Sequence, residues 1–180
     1  MPCKGEWGTF IHIPKCAGIT IREWIYKQYG LSPRQEDFID QHRMPDDLTD
    51  AWTVIRHPVD WIRSFYGYMS NNHWQWDDLP QFIHDIFRPY YGMWFPQFVN
   101  SVALEQPNAV MKVYDHYIVD GVRWYRIEEI DDMFRHFGTG LQLFNIHKTD
   151  NKPVMTEEMR QTLLWSENLT IKKYGYENYG

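Results

Sequence analysis

The stretch Phe10-Ile-His-Ile-Pro-Lys-Cys-Ala-Gly-Ile-Thr-Ile21 decides the fold. It begins inside a short β-branched and aromatic run, Gly8-Thr-Phe-Ile-His-Ile13, which stops at Pro14 and reads as a buried strand. From Gly18 to Tyr29 the apolar residues Ile21, Trp24, Ile25 and Tyr29 recur at three-and-four spacing, so a helix follows, with Gly30 as its stop signal. A small-residue turn between strand and helix leaves the first helical N–H groups pointing outward with partial positive charge, ready to meet an anion. Lys15 adds a full charge, Gly18 permits close backbone approach, and Thr20 places a hydroxyl in the first helical turn. The GxxxxGK[ST] spacing of nucleotide P-loops is absent, because here the lysine precedes the glycine. Taken alone, the segment reads equally as an ordinary strand-to-helix turn with a surface lysine.

Outward from this stretch, Asp37-Phe-Ile-Asp-Gln-His42 reads as a second short strand and Ala51-Trp-Thr-Val-Ile55 as a third, followed at once by Arg56-His57-Pro58. Proline near a first helical turn is favourable, and Val59, Ile62, Phe65, Tyr66 and Met69 mark an amphipathic helix after it. Leu79 to Phe87 predicts a short helix, and Arg88 to Pro96 is aromatic and turn-rich, so residues 71–108 read as an insertion. Val122-Arg-Trp-Tyr-Arg-Ile127 predicts another strand, Glu128 to Phe137 a helix closed by Gly138, and Thr156 the N-cap of a last helix. Strands alternating with helices imply an α/β fold with a mainly parallel sheet and helices on both faces, with ligands beyond the carboxyl ends of the strands.

The chain has 180 residues and no internal repeat or Gly/Ser linker, so a single domain over residues 1–180 is expected. Two cysteines, Cys3 and Cys16, cannot make a disulfide framework, and no window approaches the roughly 18 apolar residues of a membrane span. The start of the chain lacks a signal-peptide pattern, and a soluble, cytoplasmic protein with no membrane partner is expected. A net charge of -6 argues against general nucleic-acid binding, which depends on summed phosphate neutralisation. An anionic ligand would therefore be met by a local cluster of cations. Aromatics make up 17% of the chain, so much of its apolar surface carries a flat face or a polar edge.

A second strand-to-helix junction, Val54-Ile-Arg-His-Pro-Val-Asp-Trp-Ile-Arg-Ser-Phe-Tyr66, ends its strand on Arg56, the residue type suited to forked phosphate recognition. The two junctions together resemble those of sulfotransferases that use 3′-phosphoadenosine 5′-phosphosulfate (PAPS). The segment around Lys15 resembles the family's 5′-phosphosulfate loop, roughly PK[TS]xG[TS][ST], and Arg56 with Ser64 resembles its 3′-phosphate motif, R[DH]PxxRxxSxY. The second motif is matched at Arg56, His57, Pro58, Ser64 and Tyr66 and departs at Trp61, where the pattern has arginine. Arg63 lies out of register. The likeness is nearest to carbohydrate (Golgi-type) and microbial members. It extends to Gln41-His-Arg-Met-Pro45, in the place of the family's histidine, to Tyr125-Arg-Ile-Glu-Glu-Ile130, and to Ile146-His-Lys-Thr149, which resembles a loop closing over the nucleotide.

The resemblance implies a three-layer sandwich with a P-loop-like sulfotransferase fold. It also implies in-line transfer of a sulfuryl group from PAPS to a hydroxyl, or less readily an amine, of a carbohydrate or small-molecule acceptor, leaving PAP and requiring no metal. Lys15 would neutralise the leaving 5′-phosphate beside the backbone of Cys16, Ala17, Gly18, Ile19 and Thr20, while Arg56 and Ser64 hold the 3′-phosphate and Lys148 and Thr149 cover the nucleotide. His42 takes the place of the base, its alternative reading being a solvent-facing loop histidine. His12 reads as structural, and Cys16 either as a small turn-filling side chain or as a thiol activated by the helix terminus. The aromatics Trp74, Trp76, Tyr90 and Trp94 fall where the family places acceptor-binding loops, and read equally as a satellite core or a dimer contact. Two other functions remain open on sequence: a PAPS- or PAP-binding protein without transfer activity, and a small P-loop-type nucleotide kinase.

Overall fold

Short hydrophobic runs become strands where both of their faces can be buried. β1 (Cys3–Gly5), β2 (Gly8–Ile11), β3 (Ala51–Ile55) and β4 (Arg123–Arg126) form one sheet in that order, β1 antiparallel to β2 and the other three mutually parallel. This computed structural model describes residues 3–5, 8–30, 42–71, 79–137 and 152–179. The chain is α/β, with its small parallel sheet flanked by helices, and divides into two compact units: residues 1–56 with 117–148, and residues 57–116 with 149–180.

In the first unit every residue of β3 is buried, as expected of a central parallel strand made of β-branched, aromatic and small residues. The hydroxyl of Thr53 donates to the carbonyl of Ile11 at 2.7 Å, tying β3 to β2 beside the Ile11–Thr53 register pair. α1 (Gly18–Gln28) and α6 (Ile130–His136) share one core with the sheet, in which Ile21, Trp24, Ile25, Met133 and Phe134 pack with Phe10, Trp52 and Val54. Trp24 meets Phe134 at 4.9 Å and Phe10 meets Trp52 at 4.8 Å between ring centroids. Truncating one such buried ring to alanine typically costs about 3–5 kcal/mol. On the opposite face of the strands, Ile11, Thr53 and Ile55 are also fully buried.

The second unit holds α2 (Pro58–Asn71), α3 (Gln81–Phe87), α4 (Phe95–Glu105), α5 (Ala109–Tyr117, its final residue counted with the first unit), α7 (Glu157–Ser166) and α8 (Asn168–Lys173). Trp61 stacks on Phe65 at 4.8 Å, and both meet Phe87. α4 packs along α7, with Phe98, Val99 and Val102 wholly buried. α7 begins as its sequence predicts: the Thr156 hydroxyl accepts from the Met159 N–H, and Glu157 and Glu158 occupy the positive end of the helix.

The predicted helices α1, α2, α3 and α7 and strands β2, β3 and β4 form within a few residues of their expected bounds, while β1, α4, α5 and α8 were not foreseen. Pro96 ends the stretch read as turn-rich, yet it lies in the first turn of α4, where its missing N–H costs no helical bond. Within the stretch 71–108, read as an insertion, α3 and α4 are therefore part of the second unit's core. The helix expected from Glu128 starts instead with a 3-10 turn over Ile127–Glu129, and α6 follows. Of the strand expected at 37–42 only His42 is described, in a turn, and Gly138 lies outside the described residues.

Glu167, at the junction of α7 and α8, is fully buried and accepts from the Val110 N–H at 3.3 Å and the Thr170 hydroxyl at 2.5 Å. Burial raises its pKa to about 7 from the ordinary 4.5, against the pull of those hydrogen bonds. The folded state thus holds this proton to higher pH than the unfolded chain. Its stabilising contribution is complete below pH 4.5 and is lost as pH rises to about 7. The loss is on the order of 3 kcal/mol at most. Glu167→Gln is expected to abolish this pH dependence, measured by urea denaturation at pH 5 and pH 8, and to leave the variant the more stable protein at pH 8.

Candidate functional site

Between β2 and α1 the backbone takes an uncommon path. Lys15 has φ 64° and Ala17 has φ 59°, the left-handed region at two non-glycine residues only two positions apart. Each such residue costs about 1–3 kcal/mol unless its surroundings hold it, and alternating hands of this kind form concave nests of backbone N–H groups. The Cys16 N–H bonds back to the Ile13 carbonyl at 3.2 Å, and the first helical bond runs from the Ile21 N–H to the Ala17 carbonyl at 3.0 Å. The N–H groups of Gly18, Ile19 and Thr20 precede that bond. No side chain caps them, and the first turn carries no acidic residue. Local geometry thus leaves α1 with a positive end that an anion can satisfy.

Gly18 is needed for a reason the sequence did not disclose. A Cβ at this position would lie 1.7 Å from Cδ2 and 1.9 Å from Nε2 of His12, so the glycine makes room for an imidazole of the protein itself. That ring is buried, with 6% of its surface exposed, and stands 4.7 Å from the ring of His42. His42 is 7% exposed, which removes its reading as a solvent-facing loop histidine, and its backbone carbonyl accepts from the Tyr117 hydroxyl at 2.8 Å. Burial, reinforced by the neighbouring His42, Arg22 and Lys15, holds the His12 pKa well below 6.5, so His12 is neutral at physiological pH. Tyr117 is pushed far above its usual range by burial and by Cys16. The turn therefore brings together His12, Lys15, Cys16, Gly18, Arg22, His42 and Tyr117.

Arg22 and Tyr117 have no part in the sequence reading of the site, and His12 was read as structural. Arg22 sits one helical turn after Gly18, on the same face, and this i, i+4 relation is the signal that could have found it. Tyr117 lies 75 residues from its partner His42, and nothing local marks it.

Parallel register places the carboxyl ends of the three strands on one edge of the sheet, so the turn after β2, Arg56 after β3 and Arg126 at the end of β4 share that edge. Arg56 is half-buried, and Arg126 donates to Glu129 at 2.9 Å. Ser64 is buried on α2 in the second unit. The departure at Trp61 has a packing cause, since that side chain is wholly buried among Phe65 and Phe87 and no cation could replace it without an unpaired buried charge. Arg63 donates from Nε to the Pro153 carbonyl at 2.8 Å. His57 accepts the Val59 N–H at Nδ1 and so caps α2.

Tyr90 and Trp94 come together in the second unit, where with Tyr66, Tyr91, Ser70 and Met93 they line a cleft of about 290 Å³. Trp94 is 68% exposed, and the Tyr66 hydroxyl donates to the Met93 carbonyl at 3.0 Å. Trp74, Trp76, Lys148 and Thr149 lie outside the described residues. Among the described residues no group of three or more His, Cys, Asp and Glu side chains is placed to hold a metal ion, and no helix is long and apolar enough to cross a membrane. Comparison with family models, curated proteins and solved structures finds no match to this chain.

Gly18→Ala is expected to drive the His12 ring from its place and to destabilise the protein by roughly 1–3 kcal/mol, read as a lowered midpoint of denaturant unfolding. The buried neutral imidazole also sets an acid limit. Below about pH 6.5 the unfolded chain takes up a proton at residue 12 that the folded state refuses, so stability falls as pH drops. His12→Phe should flatten that acid limb in chemical denaturation at pH 5 to 7.

Proposed function

We propose that this chain is a PAPS-dependent sulfotransferase, built as a three-layer, P-loop-like sandwich, that acts on a hydroxyl of a carbohydrate or small-molecule acceptor. The observation that carries the proposal is the turn before α1, in which two left-handed residues precede three uncapped N–H groups beside Lys15. A strained turn that leads into uncapped helical donors is costly to keep, and a tetrahedral anion is the ligand that such a nest fits. The residues present suit the donor: backbone N–H groups and the Lys15 ammonium for its 5′ end, and Arg56 on the same sheet edge for a second anionic group. The sequence motif adds Ser64 to the 3′-phosphate and Lys148 and Thr149 to the nucleotide.

When bound, the donor supplies the sulfuryl group, and the chain's own residues hold, orient and move protons. The acceptor oxygen forms its bond to sulfur as the bond from sulfur to the 5′-phosphate oxygen breaks, and the acceptor proton passes to His42. Lys15 and the amides of residues 17–20 hold the charge that gathers on the phosphate, a fixed electrostatic contribution worth about 3–4 kcal/mol per donor in comparable sites. We assign Tyr90 and Trp94 to acceptor binding on the character of their cleft, flat rings with polar edges and no lining charge, which suits a neutral saccharide or phenol.

Titration calorimetry with adenosine 3′,5′-bisphosphate, ADP and ATP tests the proposal, and the bisphosphate is expected to bind most tightly. Equal or tighter binding of ATP would overturn the assignment. Arg56→Ala is expected to weaken bisphosphate binding by roughly tenfold to a hundredfold, the loss of a charged hydrogen-bond donor. His42→Ala should bind it normally while transfer of labelled sulfuryl drops by about 10²–10⁴. Lys15→Ala should lower kcat by about 10²–10³.

A further inference from the structure

We propose that His12 is a positioning residue for sulfuryl transfer, its imidazole clamped between the backbone of Gly18 and the ring of His42 so that base and phosphate turn are held as one body. This rests on the assignment of His42 as base and of the turn before α1 as the donor site.

Four contacts hold His12 and His42. The Cδ2–Nε2 edge of His12 occupies the space where residue 18 would carry a side chain, which fixes the ring against the start of α1. The His42 ring packs on it at 4.7 Å with an interplanar angle of 46°. The Tyr117 hydroxyl holds the His42 backbone from another direction at 2.8 Å, so neither the main chain nor the ring of His42 is free to drift. Behind His12 the ring of Phe10 lies stacked at 6.3 Å, closing the side toward the core.

What the clamp needs of residue 12 is a flat, uncharged ring. Nδ1 of His12 is buried without a hydrogen-bond partner among the described residues, so its nitrogens add nothing to the packing that an apolar ring of similar size would lack. A flat ring that stays uncharged beside Lys15, Arg22 and His42 supports a neighbouring base without adding a competing cation. Positional control of this kind is worth a great deal, since a misplacement of about 1 Å costs on the order of a hundredfold in rate.

The test compares wild type, His12→Ala and His12→Phe in three measurements: carbethoxylation of His42 followed by peptide mass mapping, calorimetry with adenosine 3′,5′-bisphosphate, and kcat for labelled sulfuryl transfer. His12→Ala is expected to speed modification of His42 by about tenfold or more and to lower kcat about a hundredfold, with bisphosphate affinity within about threefold of wild type. His12→Phe, which restores a ring without nitrogens, should return both modification rate and kcat to near wild type. Unchanged modification of His42 in His12→Ala would overturn the clamp. A His12→Phe protein that protects His42 yet is as slow as His12→Ala would also overturn it, because the nitrogens themselves would then be doing the chemistry. If neither variant folds, Gly18→Ala evicts the ring from the other side, and faster or unchanged modification of His42 decides the question. A wild type that neither binds bisphosphate nor transfers sulfuryl overturns the sulfotransferase assignment, while His42 modification still decides the clamp.

Discussion

The approach of His12 to Gly18 is the constraint around which the first unit is arranged. β2 ends and α1 begins so close together that an imidazole occupies the place of a side chain at residue 18. For this the intervening turn must double back, which it does through left-handed backbone at Lys15 and Ala17. The local cost is held by what lies on either side, the hydroxyl tie from Thr53 to Ile11 in the sheet and the shared core of α1, α6 and the strands. The same geometry leaves the first N–H groups of α1 uncapped. Strain, close approach and unsatisfied donors therefore arise from one arrangement of backbone, and the proposed anion site is its consequence.

Burial governs ionisation in both units, with opposite results. In the first, desolvation and neighbouring cations keep His12 neutral, so acid is the threat. In the second, desolvation keeps Glu167 protonated toward neutrality despite the donors of Val110 and Thr170, so rising pH is the threat. Neither residue stands out in a net charge of -6. Each takes its behaviour from side chains packed around it, and a chain that carries both is expected to be most stable over a restricted range of pH.

Aromatic residues divide between two uses. Trp61, Phe65, Phe87 and Phe98 are interior, and their mutual contacts make the core of the second unit. Trp94 and Tyr91 are exposed beside a neutral cleft. The deviation of Trp61 from the arginine of the sulfotransferase pattern belongs to the first use, and so reflects packing around α2.

Much of the fold was legible because the relevant forces are short-range. Apolar periodicity marked β2, β3, α1 and α2, and the hydroxyl of Thr156 with two following glutamates marked the start of α7. α4 was hidden because Pro96 has one meaning inside a helix and another in its first turn, and sequence does not say which applies. The candidate site was legible at Lys15, Gly18 and Arg56, residues whose chemistry and place in a strand-to-helix junction are local facts, whereas His42 was reached only through the resemblance to sulfotransferases. By itself, then, the sequence determined the two junctions and the charged groups they carry. Only the tertiary structure decided that Gly18 accommodates a protein ring, that His42 is buried against His12, and that Tyr117, 75 residues away, holds it there. Those contacts join residues with no periodic relation, and they exist only once strand register and core packing have set the distances between them.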